Sequence, residues 1–406
     1  MFETMAAIPR YRPHAGPILL SAGFRPFFLG AAVWAAIGIP LWLAVYGGET
    51  SVPSLLAPLI WHVHEMVFGF AAATVAGFLL TTIPNWTGRM PLQGWPLAVL
   101  VLLWAIGRVA VLLSAVIGAP IAAVADLAFP AAFLGVVARE IVAGRNWRNL
   151  PMLTALSLLL AGNVLVHLDA IGIADTAELG NRIGIATLLA LISLVGGRII
   201  PSFTRNWLTK NRPEISPPRP EGRLDHAALG FTALSLFTWA IAPDAVVTAW
   251  SMIIAGSAIT IRMSRWQGHK TMRDPLLLIL HVGYAWLAVG LLLLGLDEIT
   301  DLLPATAALH ALTVGAIGTM TLGVMTRASL GHTGRPLVAG PGTQAIYVLV
   351  TLAAFLRVLS PLAGAQMMLM LWAAAASWTA AFGSFAILYG RVLTQPRVTG
   401  HGARPI

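Results

Sequence analysis

The sequence predicts an all-α membrane protein that crosses a bilayer about twelve times. Three observations carry that expectation. Hydrophobic residues make up 58% of the chain and charged residues 10%, with a mean hydropathy of +0.81, whereas soluble domains run near 45–50% apolar and about 25% charged. Twelve stretches approach or exceed the roughly 20 apolar residues that a spanning helix needs. Lysine and arginine then alternate from one connection to the next along the whole chain.

The twelve stretches are 24–46, 57–83, 95–117, 119–139, 149–171, 181–203, 226–243, 245–263, 275–296, 303–326, 341–361 and 366–390. Each must be helical, because lipid offers no partner to an unpaired backbone group. The first connection and every second one after it carry acids or no charge: Glu49, then Asp169, Asp175 and Glu178, then Asp244, then Asp297, Glu298 and Asp301. The other connections and the two termini hold 22 of the 25 basic residues. The positive-inside rule therefore puts both ends in the cytoplasm. An error of one span would break the alternation, and it continues to the end.

The expected organisation is one membrane domain over 1–406. Residues 1–23 form a cytoplasmic N-terminal segment, the Pro-rich basic stretch 208–225 a cytoplasmic loop, and 391–406 a cytoplasmic tail. The N-terminal MFETMAAIPRYRPHAGP lacks the compact apolar core and cleavage site of a secretory signal, so no processing is expected. The net charge of +9 is accounted for by the basic loops, and no nucleic-acid partner is expected. The absence of cysteine excludes disulfides, Fe–S clusters, thiolate metal ligands and covalent c-type haem.

An internal repeat is visible. HEMVFGFAAATVAGFLLTTIPNWTGR from His64 aligns with HALTVGAIGTMTLGVMTRASLGHTGR from His310 at a constant offset of 246 residues. His64 meets His310, Gly69 meets Gly315, Gly77 meets Gly323, and Thr87-Gly88-Arg89 meets Thr333-Gly334-Arg335. The sixth span ends in the related GGRIIPSFTRNW, and spans 1, 5 and 9 each open near an Arg and a Pro. Three units of four helices follow. Glycines at such positions let helices approach closely, but close approach does not explain the histidines.

Ten histidines divide by depth. His14, His226, His269, His332 and His401 fall in or near polar inner segments, where solvated or loop-ordering roles suffice. His62, His64, His167, His281 and His310 fall within spans, where ionisable groups are costly and point to a functional site. His64 and His310 lie roughly 6–10 Å below the outer surface at 1.5 Å per residue, in one layer with His62 and His167. His281 lies near the inner end of its span, beside Tyr284 and Trp286. His62 and His64 diverge by about 200° and so face different sites.

Three arginines avoid the inner face: Arg108, Arg182 and Arg357. Arg108 stands out as the midspan charge. Arginine pairs bidentately with carboxylates, including haem propionates. His64 and His310 as axial ligands, with Arg108 and Arg357 toward propionates, describe a non-covalent haem b pocket. His62, His167 and His281 remain for copper, which imidazole suits. Met320 and Met325 read as core filling rather than thioether ligands.

FRPFFLG (24–30), WHVHEMVFGFAAATVAGFLLTTIPNWTGR (61–89), NWRNLP (146–151), GGRIIPSFTRNWL (196–208), LHVGYAWLAVGLLLLG (280–295) and HALTVGAIGTMTLGVMTRASLGHTGRPL (310–337) resemble the NnrS family. The resemblance covers nearly the whole chain in order. It implies a protein of the bacterial cytoplasmic membrane, associated with nitric oxide and nitrosative stress, with haem and copper as cofactors. The family's histidines would fall on His62, His64, His167, His281 and His310. A more distant likeness is to haem-copper oxidases and nitric oxide reductases, whose twelve helices form three four-helix arcs and whose low-spin haem is held from helices 2 and 10. Helix 7 departs from that pattern, with His226 alone where those enzymes carry a His pair for copper. The leading expectation is a haem/copper protein that binds nitric oxide, with an oxidoreductase activity on that gas left open. The alternatives are a membrane transporter of a small molecule or metal, and a non-catalytic haem- or metal-binding protein. Electron donor and oligomeric state are not encoded in any motif.

Overall fold

Among the described residues, the apolar runs fold into twelve helices long enough to cross a membrane: α1 Phe24–Tyr46, α2 Pro58–Thr87, α3 Trp95–Leu112, α4 Ala119–Ala143, α5 Trp147–Ala170, α6 Ala177–Asn211, α7 Arg223–Ile241, α8 Val246–Ser264, α9 Pro275–Thr300, α10 Ala305–His332, α11 Pro341–Leu362 and α12 Gly364–Thr394. A computed structural model describes residues 15–300 and 304–398. His14, His401, Asp301 and the outermost parts of both terminal segments lie outside the described residues. No strand occurs among the described residues.

Helices α2, α6 and α10 outrun their apolar stretches at the ends that carry the basic loops. Hydropathy reports the depth of lipid, whereas a helix ends only where its backbone bonding stops. For α2 that point is Gly88, left-handed at φ 70°, whose N–H bonds Pro84 O at 3.0 Å. The connection expected at 208–225 accordingly narrows to 212–222, and the tail begins after Thr394. The third span is interrupted: α3 stops at Leu112 and a separate turn covers Ser114–Ile117.

Burial sorts the helices. In α2, α6, α9 and α10 67% of the apolar window is inside the protein, against 33–44% in the other eight. These four are the inner pillars, and the rest present apolar side chains outward, such as Val124 at 74% and Ile387 at 73% exposure. A lipid-facing shell accounts for that surface. The bundle closes on itself where α12 meets α1: Trp378 Nε1 donates to Ala35 O at 2.9 Å, Thr379 Oγ1 to Ala36 O at 3.0 Å, and Arg25 Nη1 to Leu393 O at 2.6 Å.

The repeat has a backbone counterpart. A π-helical segment interrupts α2 at Glu65–Ala71, α6 at Ile192–Gly196 and α10 at Ala311–Gly318. Those in α2 and α10 begin directly after His64 and His310. Such segments loosen the backbone ladder and are frequent at functional sites. The matched glycines also meet matched helices. A Cβ on Gly69 would lie 3.1 Å from Trp34 Nε1 of α1, and one on Gly315 would lie 2.7 Å from Trp286 of α9. In α6 the π segment is held by Arg262, wholly buried on α8, which donates to Ser193 O at 3.2 Å, Gly197 O at 3.3 Å, Tyr284 OH at 2.9 Å and Asp225 Oδ1 at 3.0 Å.

Candidate metal centre

Four helices deliver ionisable or amide side chains to one buried point near the start of α2. Helix α2 supplies His64 and Glu65, α3 Arg108, α4 Asp126, and α5 Asn163 and His167. All six are at most 3% exposed. Asn163 and His167 share a helix face by their i,i+4 spacing. Helix α5 can lie close to α6 because two glycines face each other there: a Cβ on Gly162 would come within 2.7 Å of Gly180 O.

The bonding pattern is ordered. His64 Nδ1 and Glu65 Oε1 are 3.0 Å apart, and His64 Nε2 lies 2.8 Å from Asn163 Oδ1 and 3.3 Å from Asp126 Oδ2. His167 Nε2 lies 3.0 Å from the same Asp126 oxygen, and Asn163 Nδ2 donates to it at 2.8 Å. Arg108 closes the cluster from behind: Nη1 donates to Glu65 Oε1 at 2.6 Å and Nη2 pairs with Asp126 Oδ1. Trp104 Nε1 donates at 3.0 Å to Gly69 O in the π segment, tying α3 to α2 at this level. Gly69 has no room for a side chain, since a Cβ would sit 2.9 Å from Arg108 Nη1.

Two features make this arrangement able to hold a cation. One ligand atom each from His64, Asp126 and His167 lies within 4.8 Å of the others. A metal about 2.0–2.1 Å from nitrogen and oxygen ligands separates neighbouring ligand atoms by about 3.3 Å, close to the 3.0 and 3.3 Å found between Asp126 Oδ2 and the two imidazoles. Both His64 nitrogens face acceptors, so the ring carries two protons in this arrangement. A cation that replaces the Nε2 proton leaves neutral imidazoles and two carboxylates against one guanidinium, a buried negative charge that the cation itself offsets. Glu65 Oε2 and Arg108 Nε are also buried without a hydrogen-bond partner.

The expected haem residues are grouped differently from the sequence reading. His64 has both ring nitrogens engaged in the buried cluster, and Arg108 is spent on Glu65 and Asp126. His310 lies within electrostatic reach of His62 and Arg357 instead. Its Nδ1 is 2.6 Å from Thr306 O. His62 stacks on Trp42 of α1, with ring centroids 4.1 Å apart, and its Nδ1 is buried with no partner. Arg357 Nη1 donates to Ser360 Oγ at 3.2 Å. His281 stands apart near the start of α9, toward the basic face, where Nε2 is 3.0 Å from Thr204 Oγ1.

Glu65, Asp126 and Asn163 were not singled out in the sequence, and Arg108 is therefore not the lone midspan charge. The signal was present. An arginine inside an apolar helix calls for a carboxylate or carbonyl partner, and Glu65 and Asp126 are the acids within the apolar stretches of the flanking spans.

The fold and this cluster define a multi-pass membrane protein with a buried histidine–carboxylate centre suited to a metal ion. The family model described as NnrS protein matches residues 18–397, so the chain belongs to the NnrS family, and membership supports a nitric-oxide-response membrane protein. No curated protein matches the chain.

Proposed function

We propose that this protein is a haem- and copper-containing inner-membrane protein that binds nitric oxide, with its copper held by His64, Asp126 and His167. The observation that carries the metal assignment is the buried convergence of two imidazoles and one carboxylate oxygen within 4.8 Å. Copper accepts imidazole ligands readily. Glu65 on His64 Nδ1 supports the imidazole from behind, as carboxylates commonly do for metal-bound histidines.

Haem fits the neighbouring group better than it fits His64. The Nδ1 of His62 is buried without a partner, and the 2.6 Å contact of His310 Nδ1 with Thr306 O leaves its Nε2 as the nitrogen that would hold a haem iron. Arg357 donates to the Ser360 hydroxyl rather than to a carboxylate and suits a propionate. Haem supplies an iron to which nitric oxide can bind. The chain's own part is to hold the ligands in place and to exclude water, and a neutral gas crosses its apolar outer shell without a polar channel.

A carrier of a small cation is the second reading, favoured by Glu65 and Asp126 inside the spans. Metal analysis and the visible spectrum of the purified wild type, reduced and exposed to nitric oxide, separate the two. Stably bound copper and a Soret band that shifts with nitric oxide are expected. A protein that lacks both after expression with ample haem and copper overturns the proposal, and cation uptake into vesicles without bound haem establishes the carrier.

A further inference from the structure

A cavity of about 580 Å3 opens on the basic face, between α2, the connection after it and α4, far along α2 from the histidines. Its depth is apolar, walled by Leu80, Ile83, Val136 and Val137, and its mouth carries Arg89, Arg139 and Glu140. One carboxylate serves both guanidiniums: Arg89 Nε lies 2.5 Å from Glu140 Oε2, and Arg139 Nη2 lies 2.9 Å from Glu140 Oε1. Glu140 is 14% exposed, while Arg89 and Arg139 are 43% and 62% exposed. The mouth therefore keeps one uncompensated positive charge with donors facing outward.

The next connection adds to this field. Asn146 Nδ2 donates to Trp86 O at 2.5 Å, which pins the turn after α4 against the end of α2 and brings Arg145 and Arg148 to the same face. Trp95 and Trp147, 76% and 56% exposed at the starts of α3 and α5, set the level of the mouth. Exposed tryptophans at helix ends lie at the membrane–water interface. The site is not a general consequence of the repeat. Arg335, the counterpart of Arg89, is instead closed against Gln395 Oε1 at 2.8 Å.

We propose that this cavity binds an anionic glycerophospholipid, with its phosphate on Arg89 and Arg139 and an acyl chain along Leu80, Ile83, Val136 and Val137. Charge at the mouth and an apolar wall below it, both at interfacial depth, match the two ends of that molecule. Basic pockets between spanning helices are known to take anionic headgroups. A free phosphate would use the arginines and leave the apolar wall empty, and a zwitterionic lipid would bring its own cation beside them.

The test is native mass spectrometry of the full-length protein titrated with phosphatidylglycerol or phosphatidylcholine in mixed micelles, with inorganic phosphate as competitor. The wild type is expected to retain phosphatidylglycerol about fivefold better, a preference of the size one uncompensated interfacial charge supplies, and phosphate is expected not to displace it. Arg89→Gln with Arg139→Gln is expected to abolish the preference. Val136→Trp, which leaves both arginines and obstructs the apolar wall, is expected to lower retention of phosphatidylglycerol, and it decides the matter if the double variant fails to fold. Equal retention of the two lipids by the wild type, displacement by phosphate, or unchanged retention in Val136→Trp overturns the proposal.

Discussion

Asp126 and Arg108 form an ion pair that decides which carboxylate oxygen faces the imidazoles. Oδ1 is taken by Arg108 Nη2, so Oδ2 alone turns toward His64 and His167. Asp126→Asn removes the charge from both sides of that arrangement. It leaves Arg108 short of one buried partner, and breaking a buried pair costs about 3–5 kcal/mol. The expected outcome is a lowered thermal midpoint together with loss of copper from the purified protein, read by elemental analysis. Copper at wild-type stoichiometry in a folded Asp126→Asn protein would place the metal elsewhere.

His62 and His64 are two residues apart and serve different clusters, so single substitutions should separate the cofactors. His310→Ala and His62→Ala are expected to lose the Soret band and keep copper. His64→Ala and His167→Ala are expected to lose copper and keep the band. His281→Ala, near the opposite, basic end of the spans, should change neither. A His64→Ala protein without haem but with copper would restore the pairing of His64 with His310 that the sequence suggests.

Much of the fold was legible because bilayer length and loop charge are strong signals. The apolar runs located all twelve helices, and the 246-residue offset anticipated that α2 and α10 would behave alike. Both turn π-helical immediately after the aligned histidine. The helix ends were less legible, since the polar last turns of α6 and α10 carry no hydropathy signal. The metal centre was half legible. His64, His167 and Arg108 stood out as ionisable groups in apolar spans. Asp126 and Glu65 did not, because a lone acid in an apolar span shows its guanidinium partner only once α2, α3 and α4 are packed together. The company kept by His310 depends on how α10 and α11 pack, which no spacing within one helix reveals.

Arg262 tests whether the π segment of α6 needs its side-chain support. Its guanidinium reaches Asp225, Tyr284 and the carbonyls of Ser193 and Gly197 together. A lysine has three donors on one nitrogen and cannot match that planar fork. Arg262→Met should destabilise the protein by about 3 kcal/mol, and Arg262→Lys should recover only part of the loss. Because this network lies away from the histidine clusters, copper and haem per folded molecule should stay at wild-type levels. A thermal midpoint unchanged in Arg262→Met would show that the π segment holds without it.

Asp274 gives a pH dependence whose sign follows from its position just before α9. It is half-buried, and Oδ1 accepts the N–H of Leu276 at 3.0 Å. Burial pushes its carboxyl above the ordinary value, more than Arg327 nearby and the backbone donors pull it down. The folded protein therefore holds this proton more tightly than the unfolded chain does. The resulting stabilisation is full below the ordinary carboxylate value, about 3.9, and is lost as pH rises through the raised one. Asn keeps a side-chain acceptor for Leu276 and never ionises. Asp274→Asn should therefore gain thermal stability relative to wild type as pH rises from acid toward neutrality, with the two midpoints converging at the acid end. Melting curves of the two proteins in the same micelles across that range make the comparison, and a difference that is constant with pH, or that grows toward acid, would show that Asp274 is not held in its protonated form by burial.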